Sequence, residues 1–306
     1  MSRIHDALKK AEQEKAAGHL SGGAASPGKA GPPGWLQPEG LSARDGGGLR
    51  KPSRSVREDP VRATLLKALD ERCRRSSWMP QTCMILFVHG KKHSPGAEEF
   101  RSLRSQLYLV RVQQPVRKLL ITSPLPEEGK SFTAVNLSFV MAQQPDCRVL
   151  LIDADLRMAE LHQILGAPPT PGLSDYLAGG VDEFSVVQRG PVPNLYLIPS
   201  GKTVSNPSEL IGNGRFKLLL DRLAPVFDWV ILDSPPVIPV SDAKLLAGLC
   251  DGTLMVVKAG KTPFDLAQKA CQEFRDKGLL GVVLNQVRVD SKYGYYYGQS
   301  ERKSKK

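Results

Sequence analysis

The sequence predicts an α/β fold of three layers, a mainly parallel sheet with helices packed on both faces. Three observations carry that prediction. Short apolar runs alternate with helix-length segments from Lys118 onward. Those runs are almost continuously apolar instead of alternating, which marks strands covered on both sides. Acidic residues stand directly after two of them, at the strand ends where open α/β sheets receive ligands.

In chain order, residues 1–17 (MSRIHDALKKAEQEKAA) place Ile4, Ala7, Leu8 and Ala11 on one helical stripe. This amphipathic helix is too short to be stable alone. It reads equally as a partner-docking helix or as a solvated leader that orders only in an assembly. Residues 18–60 turn to Gly, Pro, Ser and Ala, which cannot repay the entropy of ordering, and read as a flexible linker. Over 61–95 the sequence predicts a basic helical stretch from Val61 to Arg75 and a lead-in strand, CMILFVH, from Cys83 to His89.

The main domain is expected over 96–287. Gly96 to Val112 is helical through Phe100, Leu103 and Leu107; the strand KLLITS is followed by a helix from Lys130 to Gln144 and the strand RVLLIDAD. The strand LYLIP, a helix after Asn206, the strands DWVILDSPP and GTLMVVKAG, a helix from Pro263 and the strand GVVLNQV complete it. The tail, 288–306, is polar and tyrosine-rich, ends in RKSKK, and is expected to be mobile.

The chain has 306 residues with 41% hydrophobic content, enough for one substantial core. It has no apolar run long enough to span a bilayer and no apolar leader, so it is expected to be cytoplasmic. The five cysteines show no CxxC pair or metal spacing, which argues against zinc and a disulfide framework. Of the net charge of +11, most lies in the first 92 residues, where Lys and Arg outnumber Asp and Glu 17 to 9; beyond them the ratio is 25 to 22. A basic low-complexity flank beside a near-neutral domain suits an anionic membrane face, and no nucleic-acid motif is present to make a DNA or RNA partner the better reading.

The chemistry concentrates in TSPLPEEGKS, Thr122 to Ser131, which follows a strand and opens a helix. That is the context of a phosphate loop, in which backbone N–H groups and the helix N-terminus face an anion. The fold is therefore a P-loop NTPase. Pro126, Glu127, Glu128, Gly129, Lys130, Ser131 and Phe132 form the candidate nucleotide-binding run. Lys130 would hold the β- and γ-phosphates, Ser131 would offer a hydroxyl to Mg²⁺, and Gly129 would let the backbone approach the phosphates. Pro124 stands where the usual pattern has its first glycine. Asp153 and Asp155 end one strand and Asp233 another, and such strand-end acids serve a metal ion and a base.

Together EEFRSLR, EEGKS, LLIDADLR, NPSELIGN, VILDSPPVIPVSDA, GVVLNQV and a closing tyrosine cluster resemble the bacterial tyrosine kinases of polysaccharide synthesis and export. The resemblance covers roughly residues 96–297. It implies the cofactors ATP and Mg²⁺, with Lys130 and Ser131 on phosphate and metal, Asp155 and Asp233 organising the metal, and Asp153 as the base that accepts the tyrosine proton. Asn285 resembles an adenine contact, and a turn cap is its equal alternative. Glu98, Arg101 and Arg104 match the ExxRxxR motif of an oligomer interface, against the plainer reading of a solvated face with intrahelical pairs. Tyr293, Tyr295, Tyr296 and Tyr297 resemble the cluster phosphorylated by a neighbouring subunit. The implied partners are further copies in a ring-like assembly, a membrane adaptor that regulates chain length and recruits the kinase to the inner membrane face, and a cognate tyrosine phosphatase. After Arg157 the sequence reads Met-Ala where the family usually has a basic residue and proline.

Two other functions share these features. A partitioning or septum-site switch ATPase has the same fold but carries a lysine near the start of the loop, where Leu125 stands here. A catalytically silent nucleotide-binding scaffold would keep the site without phosphorylating the tail.

Overall fold

The structure, a computed structural model, describes residues 60–87 and 95–287. The expectations for 1–17, for 18–60 apart from Pro60, and for 288–306 lie outside these residues. The described part contains an eight-stranded sheet of order β1-β4-β5-β3-β6-β2-β7-β8, where β1 is Arg74–Arg75, β2 Lys118–Thr122, β3 Val149–Asp153, β4 Gln188–Arg189, β5 Leu195–Ile198, β6 Trp229–Asp233, β7 Gly252–Lys258 and β8 Leu279–Asn285. Every neighbouring pair is parallel except β4 with β5.

The continuous apolar runs have a direct consequence. Side chains alternate across a strand, so each central strand feeds two cores. Leu120, Leu150, Ile152, Val230 and Leu232 face one side with Phe216, Leu220 and Phe274; Leu119, Ile121, Leu151 and Ile231 face the other with Val135 and Phe139. In chain order the helices are α1 Pro60–Arg72, α2 Pro95–Gln113, α3 Lys130–Ala142, α4 Leu161–Leu165, α5 Leu173–Leu177, α6 Pro207–Gly212, α7 Arg215–Leu223, α8 Asp242–Ala247 and α9 Phe264–Glu273.

Helix α3 is buried along nearly its whole length. It has no polar face because α2 covers the side turned away from the sheet, with Phe100 set edge-on to Phe132 at 6.0 Å. Its buried hydroxyls turn inward: Thr133 Oγ1 donates to Gly129 O at 2.8 Å and Ser138 Oγ to Ala134 O at 2.7 Å.

The lead-in strand expected from Cys83 to His89 does not form in the described part, which runs through turns as far as Phe87. Its polar groups are taken by a side chain instead of a neighbouring strand. Asn136 of α3 donates through Nδ2 to Met84 O at 2.9 Å and accepts at Oδ1 from Leu86 N at 2.9 Å. An apolar run this short cannot be told from a docked loop by periodicity alone. Upstream, the basic stretch is helical to Arg72, and its last residues Arg74 and Arg75 form β1 beside β4. Leu69, Trp78 and Ile85 are buried, so this lead-in packs into the main core.

The chain passes from β2 to β3 over the position later filled by β6, and from β6 across β2 to β7. That reversal of direction is a topological switch point, and the carboxyl ends of β2, β3 and β6 surround it.

Candidate active site

The loop between β2 and α3 is held in shape by three other parts of the chain. Gly129, before the helix, has φ 90°, and a Cβ there would lie 2.0 Å from Asn285 Nδ2. That amide nitrogen donates to Glu128 O at 2.9 Å. The Glu128 side chain is buried and accepts from Leu125 N at 2.8 Å and from the Thr262 hydroxyl. Lys258 Nζ reaches Glu127 O at 3.5 Å, and Glu127 itself has φ 60°. Pro124 fits without its missing N–H: its carbonyl accepts from Ile238 N at 3.2 Å, and Ser123 O accepts from Val237 N at 2.8 Å. A proline is compatible wherever only the carbonyl is used.

Lys130 opens α3 and its ammonium meets Asp155 Oδ2 at 3.0 Å and Ser131 Oγ at 3.3 Å. Asp153 and Asp233 are register partners on β3 and β6, both 0% exposed. Asp153 Oδ2 accepts from Leu161 N at 3.1 Å, whereas its Oδ1 and both oxygens of Asp233 have no hydrogen-bond donor.

Burial pushes the Asp153 carboxyl well above the ordinary range, and the neighbouring Asp233 adds to the effect. Burial likewise pushes Asp233 up to about 6, with the Lys130 charge pulling against it. For Lys130 burial alone would lower the pKa, but Asp233 and Asp155 outweigh it and hold the ammonium above its usual value. The strand ends thus concentrate negative charge around one cation.

The donor set is one of hard oxygens, and both carboxylate oxygens of the buried Asp233 lack a partner, which fits a magnesium ion. Among the described residues no three His, Cys, Asp or Glu side chains converge as a ready-made cage. Magnesium sites that rely on one or two carboxylates and on substrate phosphates have that property.

The structure therefore brings Gly129, Lys130, Ser131, Asp153, Asp155, Asp233 and Asn285 to one end of the sheet. Phe132 instead packs under α2, and Pro126 and Glu127 are exposed on the loop. Glu98 pairs with Arg101 within α2 at 2.7 Å, and Arg104 donates to Val140 O at 2.8 Å. Tyr293, Tyr295, Tyr296 and Tyr297 lie outside the described residues. Two features escaped the sequence reading: the Glu128–Thr262 lock, and the pairing of Arg157 with Asp242 at 2.6 Å. Arg157 sits inside LLIDADLR and Asp242 inside VIPVSDA, so the recurrence of those signatures was the available signal.

The chain is similar to known proteins in sequence and fold. The family model of the AAA domain covers residues 128–261. The tyrosine-protein kinase YwqD of Bacillus subtilis is 36% identical over 207 residues, 66% of this chain and 87% of the relative. The chain belongs to the bacterial tyrosine-protein kinases. Tyrosine-protein kinase CpsD of Streptococcus agalactiae is 35% identical over 214 residues, 68% of this kinase and 92% of the relative. Among solved structures, the kinase domain of Escherichia coli tyrosine kinase ETK superposes with a TM-score of 0.62 at 32% identity, covering 65% of this kinase and 78% of that chain. The switch-ATPase and scaffold readings give way to a kinase. Among the described residues no helix is long and apolar enough to cross a membrane.

Proposed function

We propose that this kinase transfers the γ-phosphoryl group of ATP to Tyr293, Tyr295, Tyr296 and Tyr297 of a neighbouring copy. The observation that carries the reading is the buried array of Lys130, Asp153, Asp155 and Asp233 at the switch point, in a chain whose relatives are tyrosine-protein kinases. A phenol has a pKa near 10, so its attack on phosphorus needs a base and a stabilised transition state. Asp153, desolvated and with Oδ1 unpartnered, accepts the phenolic proton. The tyrosine oxygen then bonds to the γ-phosphorus as the bond to the β-phosphate oxygen breaks, and ADP leaves. Lys130 and the loop N–H groups bind the phosphates. Magnesium would be held by Ser131, Asp155 and Asp233 and would neutralise charge developing on the phosphate oxygens.

The same reading extends to assembly. Phosphorylation adds up to about −2 per tyrosine beside Arg302, Lys303, Lys305 and Lys306, which alters both tail repulsion and attraction to acidic surfaces. The kinase would act as a homo-oligomer through Glu98, Arg101 and Arg104. A membrane adaptor would recruit it to the inner membrane face, a phosphatase would reset it, and its cycle would regulate polysaccharide polymerisation and export. Asn285 would contact the adenine. The test is incubation of the full chain with magnesium and ATP, with and without the adaptor's cytoplasmic segment, and mapping of phosphate by mass spectrometry. Phosphate on the four tail tyrosines that disappears in Lys130→Ala and Asp153→Asn supports the proposal. ADP release with an unmodified tail overturns it in favour of a switch ATPase, and nucleotide binding without turnover in favour of a scaffold.

A further inference from the structure

Three sequence signatures meet at a point that the chemistry above does not use. Arg157, which closes LLIDADLR, donates through Nε to Asp242 Oδ2 at 2.6 Å and through Nη2 to Asp242 Oδ1 at 3.2 Å. The same Nη2 reaches Ser208 Oγ of NPSELIGN at 3.0 Å, and that hydroxyl donates to Asp242 Oδ1 at 2.5 Å. Asp242 is 1% exposed at the start of α8, and Ser208 lies in the first turn of α6. Burial would raise the Asp242 pKa, but Arg157 and Ser208 outweigh it and hold the carboxyl below its ordinary value. A guanidinium fork on a buried carboxylate fixes both position and angle, which a lysine point charge does not.

The backbone of the same residue faces the other way. Arg157 N and Met158 N both donate to Asp155 Oδ1, at 3.3 and 3.0 Å, which leaves Oδ2 for Lys130 Nζ at 3.0 Å. The direction in which Asp155 points is therefore set by a turn whose far end is anchored by the guanidinium. We propose that Arg157 is a positioning residue: clamped on Asp242 and Ser208, it fixes the turn that aims Asp155 at Lys130 and so sets the phosphate-binding lysine. This inference rests on the reading of Lys130 and Asp155 as nucleotide-site residues. It assigns to NPSELIGN and VSDA the task of holding that clamp from α6 and α8.

The plain alternative is a rivet that only ties α6 and α8 to the loop after β3. The two differ in their coupling to Asp155. In the full chain, Arg157→Met, Arg157→Lys, Asp155→Asn and the double variant Arg157→Met with Asp155→Asn are compared. The measurements are affinity for a fluorescent ADP analogue with magnesium and the rate of phosphotyrosine formation. Outer-shell substitutions of this type cost roughly 10–100-fold, and Arg157→Met is expected to lose that much, with Arg157→Lys recovering part. The double variant should be no weaker than Asp155→Asn alone, because both changes remove one unit of function. Losses that multiply in the double variant overturn the proposal in favour of the rivet. Where Arg157→Met does not melt cooperatively, Ser208→Ala replaces it, with a smaller loss and the same decisive comparison. Coupling seen in nucleotide affinity while the wild type makes no phosphotyrosine retains this inference and rejects the proposed phosphorylation of the tail. Phosphotyrosine formation without coupling does the reverse.

Discussion

Replacing Gly129 with alanine tests the phosphate loop most sharply, because two separate costs meet at one atom. The residue has φ 90°, and holding a Cβ in left-handed backbone costs about 1–2 kcal/mol. The new methyl would also lie 2.0 Å from Asn285 Nδ2, well inside contact distance. Asn285 has little freedom to retreat, since Nδ2 donates to Glu128 O at 2.9 Å and Oδ1 accepts from Gln286 N at 2.9 Å. Displacing it removes a hydrogen bond and leaves a partly buried carbonyl without its donor, for about 1–3 kcal/mol more. Gly129→Ala should therefore destabilise the protein by about 2–5 kcal/mol, the sum of the two ranges. In an Asn285→Ala background the steric cost disappears and only the backbone term, about 1–2 kcal/mol, should remain. Urea unfolding of the four proteins gives these differences, and titration with a fluorescent ADP analogue reports the loop itself. Equal costs of Gly129→Ala in the two backgrounds would show that Asn285 does not set the room at the loop and would refute this reasoning.

Three further perturbations follow from the same geometry. Asp233 is fully buried and its carboxyl stands near 6 against an ordinary 3.8, so the folded state binds more protons than the unfolded state between those values; the ionised group costs stability that appears as pH rises through this window and is absent below it. Asp233→Asn should raise unfolding stability above pH 7 by up to about 3 kcal/mol, flatten the pH 4–6 slope in chemical denaturation, and abolish phosphotyrosine formation; a variant less stable than wild type at pH 8 contradicts this. Asp153→Asn keeps an acceptor for Leu161 N and, because burial also penalises the ionised Asp153, should melt no lower than wild type, while the rate of tail phosphorylation falls roughly 10²–10⁴-fold, so a rate within a factor of ten of wild type removes Asp153 as the base. Asn136→Ala orphans Leu86 N and Met84 O together and should cost about 2–4 kcal/mol, with hydrogen-exchange protection lost at the Leu86 amide; retained protection there would mean that another group holds the lead-in.

Local pattern carried much of this protein's description. Doubly buried strands need apolar residues at consecutive positions, and that demand is written in KLLIT, VLLID and WVILD without reference to any distant contact. A phosphate loop needs its strand, its glycine and its helix in immediate succession, so the Thr122–Ser131 site was legible for the same reason. The order of strand-end acids followed from those elements. Tertiary structure alone decided what had no local cause. Cys83 to Phe87 is apolar enough for a strand but is docked by Asn136, a residue some fifty positions away, and nothing within the run records that partner. The short helices α4, α5 and α8 escaped for a related reason, since five or six residues carry too little periodicity and are held by packing. Likewise, which carboxylate meets Lys130, why Glu128 turns inward to Thr262 and how Arg157 reaches Asp242 depend on strand order and on loops converging at the switch point. Periodicity reports the face a residue presents; long-range pairing is set only when the sheet has assembled and brought those ends together.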